Sequence, residues 1–198
     1  GRKTPILTSL DILDDLAARN AISPNDLHAY RTSLRQAGFQ LLPVTLGELQ
    51  YHLGNATLSD GKLVETAELR AIRESFLKAR MSKMLQLPLE ASWFSQSIGS
   101  LIRCVKEVWK TIGCRPTEAA AYANWLIKLM DVRGWAPSSA SGSEWNFAVF
   151  AYAAHVQSLA SSPNDVSADV KEAYQDWIEG QILNDLKNKQ PEAFDWIV

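Results

Sequence analysis

Between positions 63 and 187 the apolar residues recur at three- and four-residue spacing in five long stretches, 63–85, 91–112, 117–131, 144–161 and 166–187. That period marks helices with one buried face and excludes a sandwich or barrel, whose strands alternate every second residue. Pro88, Gly113 with Pro116, the loop from Gly134 to Gly142, and Pro163 punctuate the stretches. Long helices joined by short loops pack as antiparallel neighbours. Residues 56–198 are therefore expected to form a bundle of about five helices, with no strand alternation after Ala56.

Residues 1–55 read differently. Pro5–Thr8 is a short apolar run ending at Ser9, which fits an N-cap for a helix carrying Leu10, Leu13, Leu16 and Ala17. Ser23, Pro24 and Asp26 are spaced as N-cap, first helical position and capping partner. The helix they open carries Leu27, Tyr30 and Leu34 on its apolar side and stops at Gly38. Phe39–Val44 reads as a strand that Pro43 confines to an edge, and Thr45 caps a short helix through Leu49 and Leu53. The sequence thus predicts a strand-helix-helix-strand-helix segment over 1–55 and a helical bundle over 56–198, in a protein that is mainly α.

With 46% hydrophobic residues the chain can bury a core without disulfides or metals, and no apolar run approaches the ~20 residues of a membrane span. A net charge of −2 argues against a dedicated nucleic-acid or membrane-surface binder. The charge is unevenly placed. Residues 62–115 hold ten basic and five acidic side chains, whereas 116–198 hold five basic and eleven acidic. Solvated faces explain such a split, and docking between the two regions, or a weak anionic partner for residues 62–115, is the sharper reading. Cys104 and Cys114, if on one helix, stand ~15 Å apart, too far to bridge. Two unpaired thiols suit a reducing cytoplasm. The chain carries no recognisable signal peptide, and its Gly1-Arg2-Lys3 start is expected to be internal to a longer parent.

Few residues point to chemistry. On the helix from Glu65 to Met84, Leu69, Ile72, Phe76 and Met84 form an apolar arc that also takes in Arg73 and Arg80. A core-side arginine needs a partner, because an unpaired buried charge costs several kcal/mol. An internal ion pair with Glu65 is the plain reading. An anion- or partner-recognising site, with Arg70 at its rim, is the sharper one. Asp11, Asp14 and Asp15 form one acidic cluster on one helix, whereas two-metal sites draw three or four carboxylates from distant segments. Helix-dipole solubilisation explains them, and no metal site is predicted. His28, His52 and His155 are scattered without ligand spacing. No Walker loop, dinucleotide fingerprint or nucleophile elbow is present, and Ser97 and Ser100 around Gly99 only mimic one. Most of the seven Trp residues are expected in the core, while Trp135 and Trp145 flank the flexible loop and are candidates for lining a groove.

Three segments, Thr4-Pro5-Ile6-Leu7-Thr8-Ser9-Leu10-Asp11-Ile12-Leu13, Gly38-Phe39-Gln40-Leu41-Leu42-Pro43-Val44-Thr45 and Leu63-Val64-Glu65-Thr66-Ala67-Glu68-Leu69-Arg70, carry a resemblance. They are similar to the C-terminal part of bacterial PIN-like nuclease domains in large multidomain proteins with TPR-type repeats, linked to conflict or defence systems. The resemblance covers residues 4–85 and is loose beyond. It implies the end of an α/β nuclease fold followed by a helical extension, with the metal-binding acids lying upstream of the similar segment. Asp11 matches a family position without an assigned catalytic role. The implied function is a non-catalytic interaction or regulatory region without cofactor, inactive as an isolated chain, whose partner is a protein or the remainder of its parent. Divalent metal and nucleic acid enter only through that parent. Two rival readings remain open. One is a helix-turn-helix-like nucleic-acid binder over 9–54, with Arg31 and Arg35 on its reading helix. The other is an intact enzyme with Asp11, Asp14 and Glu65 on Mg²⁺ or Mn²⁺.

Overall fold

The computed structural model describes residues 8–81, 88–111, 115–133 and 143–197. In chain order the elements are α1 (Ser9–Ala18), α2 (Pro24–Gln36), α3 (Leu46–Gly54), β1 (Thr57–Ser59), β2 (Lys62–Val64), α4 (Ala67–Met81), α5 (Pro88–Val108), α6 (Pro116–Met130), α7 (Ser143–Leu159), α8 (Ala168–Ile178), a π-helical turn (Glu179–Leu183), α9 (Asn184–Lys189) and α10 (Pro191–Ile197). The protein is mainly helical, with one small antiparallel sheet in its N-terminal region.

Local chemistry sets the first helices. Ser23 caps α2 as the sequence predicts: its Oγ accepts from the Asp26 N–H at 3.1 Å, and the Asp26 carboxylate returns to the Ser23 N–H. The cap of α1 is Thr8 rather than Ser9, because Asp11 then sits three residues on and closes the same reciprocal box. Of the apolar residues expected on the inner face of α2, Leu27 and Leu34 are half-buried. Tyr30 is exposed, and the residues this helix buries are Arg31, Thr32 and Arg35.

No strand forms at Phe39–Val44, where the backbone is irregular and Leu41 takes a φ of 58°. Side chains satisfy its polar groups in place of a ladder. The Leu42 carbonyl accepts from Trp93 Nε1 at 2.9 Å and from Arg35, the Pro43 carbonyl accepts from Arg31 and Arg35, and the Val44 N–H donates to Ser97 Oγ. Once these bonds are made, pairing with a second strand is not needed. The sheet lies instead beyond Ala56, where none was expected. Leu58 pairs with Leu63 across a turn in which Asp60 (φ 51°) and Gly61 (φ 71°) are both left-handed, the geometry of a two-residue hairpin. Strands of three residues are too short for alternation to register. The helix predicted from position 63 consequently begins at Ala67, with Thr66 Oγ1 accepting from the Leu69 N–H.

One apolar cluster takes in Val44 and Leu49 of the N-terminal region, Leu69, Ile72 and Phe76 of α4, Leu101 and Val105 of α5, Leu126 and Met130 of α6, and Val156 of α7. The core therefore continues across the composition change at 55–56. α5 packs against α6, α3 and α7, while α8 lies on α6 and α10 on α7. Trp109, Tyr174 and Trp177 form an aromatic knot with ring centroids 5.4–5.8 Å apart, and the Tyr174 hydroxyl donates to the Leu159 carbonyl. Burying side chains of this size contributes about 1.5–3 kcal/mol each. Trp93, Trp109, Trp125 and Trp177 are buried as expected, but Trp196 is 52% exposed and stacks edge-on against Phe150. The stretch predicted as one helix over 166–187 is continuously helical over 168–189, with a π turn at Glu179–Leu183 inside it, and α10 adds a helix to the expected bundle. Among the described residues no helix is long and apolar enough to cross a membrane.

Candidate functional site

The most buried charged group among the described residues is Glu48. It stands three residues after the Thr45 N-cap, and its N–H donates to Thr45 Oγ1, yet its carboxylate does not return to close a capping box. It turns inward between two guanidinium groups: Arg31 Nε donates at 3.2 Å, and Arg35 donates through Nη1 at 2.5 Å and Nη2 at 3.3 Å. Exposure of Glu48 is 0%, of Arg31 2% and of Arg35 5%. The second positive charge is balanced by Asp14, 3.4 Å from Arg31 Nη1, and by the carbonyls of Leu42 and Pro43. Charges this deep persist when paired and hydrogen-bonded, and of the two guanidinium groups only Arg35 Nε is buried without a partner. The cluster pins α1, α2, the 39–45 loop and α3 together. It also corrects the helix-turn-helix expectation, since the two arginines meant to face nucleic acid are interior. Their spacing of four on one helix face was the available signal, because two like charges so placed call for a carboxylate between them.

The acidic candidates near the N-terminus are engaged locally. Asp11 Oδ2 accepts from the Thr8 N–H at 2.7 Å and from Thr8 Oγ1 at 2.6 Å, which holds its carboxyl below the usual range. Asp15 pairs with Arg19, and Asp14 with Arg31. Glu65 lies in the turn between β2 and α4, away from these three. Among the described residues no group of three or more His, Cys, Asp or Glu is placed to hold a metal ion.

Glu65 makes the ion pair that the α4 pattern predicts, with Arg73 Nε donating to Oε1 at 2.7 Å. The same oxygen accepts from Trp125 Nε1 at 2.8 Å, a partner 60 residues away that links the hairpin exit to α6. Burial raises the Glu65 pKa, but the bonds from Arg73 and Trp125 and the charges of Arg73 and Arg70 outweigh it, so the net shift is downward. Arg70 acts on this node through its charge alone. It faces a shallow cavity of about 270 Å³ between the end of α2 and α4, together with Phe39, Gln36 and Glu74. Phe39 is 48% exposed there. The Arg80 side chain, Trp135 and the Trp145 side chain lie outside the described residues.

Sequence reasoning missed a second ionic cluster. Arg133, just after α6, donates from Nε and Nη2 to the two oxygens of Asp131 at 2.9 and 2.7 Å, and from Nη1 to Asp185 of α9 at 2.6 Å. Its guanidinium carbon stands 4.3 Å from the centre of the Tyr152 ring. Burial works against the cation, but the two carboxylates prevail and its pKa is raised. Lys189 also reaches Asp185. The cluster forms one side of a groove of about 480 Å³ between the hairpin, α6, α7 and the π turn. The three histidines are separate from it. Burial lowers the pKa of each, and His52 Nε2 lies 3.3 Å from Thr32 Oγ1. Cys104 is buried in α5, which pushes its thiol up to about 12.

No protein-family model, curated protein or solved structure matches this chain.

Proposed function

We propose that the chain is a non-catalytic helical interaction and regulatory region of a bacterial, cytoplasmic, nuclease-associated protein of the defence-system kind. One observation carries the non-catalytic reading: the acids a metal-dependent site would draw on are bound within the fold. Asp11 closes a helix cap, Asp14 and Glu48 neutralise buried arginines, and Glu65 is shared by Arg73 and Trp125. A carboxylate already engaged by cations and by N–H or O–H donors has less to offer a divalent ion. The resemblance over residues 4–85 supports the nuclease association, and with it the placement of catalytic acids in a preceding segment of the parent. The Arg70 cavity, with Phe39 exposed at its edge, supports docking of a protein segment that presents an apolar side chain beside a carboxylate.

The test is hydrolysis of single- and double-stranded DNA and RNA by the purified chain in Mg²⁺ and in Mn²⁺. Cleavage at background level for the wild type and for Asp11→Asn is expected. Robust cleavage that Asp11→Asn abolishes would overturn the non-catalytic reading.

A further inference from the structure

The groove beside Arg133 carries charge that the fold does not use. Asp131 and Asp185 are matched by Arg133 and Lys189. Lys62 on β2 and Lys128 on α6 line the same groove, are exposed, and have no carboxylate partner among the described residues. Asn124 stands one helical turn before Lys128 on the same face of α6. Its Oδ1 accepts from Trp177 Nε1 at 2.9 Å, which fixes the amide orientation and leaves its NH₂ group to donate elsewhere. Two ammonium groups and an oriented amide donor thus line one groove, from the hairpin and from α6.

We propose that this groove binds the phosphate group of a small phosphomonoester. Its chemistry selects phosphate over carboxylate. A planar carboxylate is best held by the arginine fork, and the fork of Arg133 is already closed bidentately by Asp131 and locked by Asp185 over Tyr152. What remains are lysine point charges and a single amide donor, which suit a tetrahedral dianion accepting from several directions. The volume of about 480 Å³ lies within the range of small-ligand sites. Gln181 of the Glu179–Leu183 turn also lines the groove, and π geometry recurs at functional sites. The proposal is independent of the non-catalytic, nuclease-associated reading of the protein as a whole.

Adenosine 5′-monophosphate, inorganic phosphate and adenosine are the probes, titrated by calorimetry against wild type, Lys62→Ala and Lys128→Ala. Saturable binding of the monophosphate and of phosphate is expected, with none for adenosine and about tenfold weakening in each variant. Both lysines are exposed, so thermal unfolding should be unchanged and a loss of binding is not a loss of fold. An oligonucleotide with a 5′-hydroxyl end supplies phosphodiesters without the monoester, and binding tighter than the monophosphate, lost in the same variants, would overturn the small-ligand assignment. Absence of saturable binding, binding indifferent to both lysines, or equal binding of adenosine would overturn the site itself.

Discussion

Two of the protein's arginine–carboxylate clusters differ in how far water reaches them. In the N-terminal region Glu48 serves two arginines and is sealed from solvent, with Asp14 pairing Arg31 at the exposed edge. At the far end of α6 a single arginine, Arg133, serves two carboxylates at the side of an open groove. The first turns Arg31, Arg35 and Glu48 inward, and its surplus cation is absorbed by the exposed Asp14 and by carbonyls of the 39–45 loop. The second balances itself and leaves two unmatched lysines beside it. The same chemistry thus acts as an internal fastener where Glu48 is buried, and lines an open groove where water reaches it.

The comparison breaks most visibly at Glu48. Glu48→Gln leaves two buried guanidinium groups short of a counter-charge, and a loss of about 3–5 kcal/mol in urea unfolding is expected. Arg133→Met should cost less, about 1–3 kcal/mol, because water can reach the two aspartates it leaves behind. Equal losses would mean that the two clusters do not differ in the way their burial implies. Acidification sharpens the contrast through a different set of groups. His28, His52 and His155 have folded pKa values below the ordinary 6.5, so the unfolded chain binds more protons in that window. Their contribution is complete above about pH 6.5 and is lost as pH falls through the folded values. Glu65, with its own pKa lowered, adds a second loss below its usual 4.5. Unfolding midpoints measured from about pH 7.5 down to about pH 4 should decline in that order. Trp125→Phe removes one hydrogen bond to Glu65 and should cost about 1 kcal/mol. Ile12→Ser, on a helix with no buried residue, should change stability by no more than about 0.5 kcal/mol.

What the sequence made legible was local. The Ser23-Pro24-Asp26 cap and the apolar arc of Leu69, Ile72 and Phe76 depend on neighbours within a turn or two, and both are present. The Glu65–Arg73 pair was legible for the same reason, since eight residues separate its members. Glu48 reaches Arg31 across 17 residues, Arg133 reaches Asp185 across 52, and Trp125 reaches Glu65 across 60, and no periodicity encodes such meetings. The 39–44 segment misled for a specific reason. Its apolar composition is that of a strand, but its carbonyls were taken by arginines and a tryptophan from elsewhere in the fold. The hairpin failed in the opposite sense, because the Asp60-Gly61 turn was visible while its strands were too short to be.

The claim that joins these observations is that the acids of the N-terminal region hold the structure together and do not hold metal. A Mn²⁺ titration followed by amide NMR tests it most directly, since the ion broadens signals only where it resides. The account predicts no saturable broadening at Asp11, Asp14 or Glu65. Saturable broadening centred on two or more of them, removed by Asp11→Asn, would contradict it.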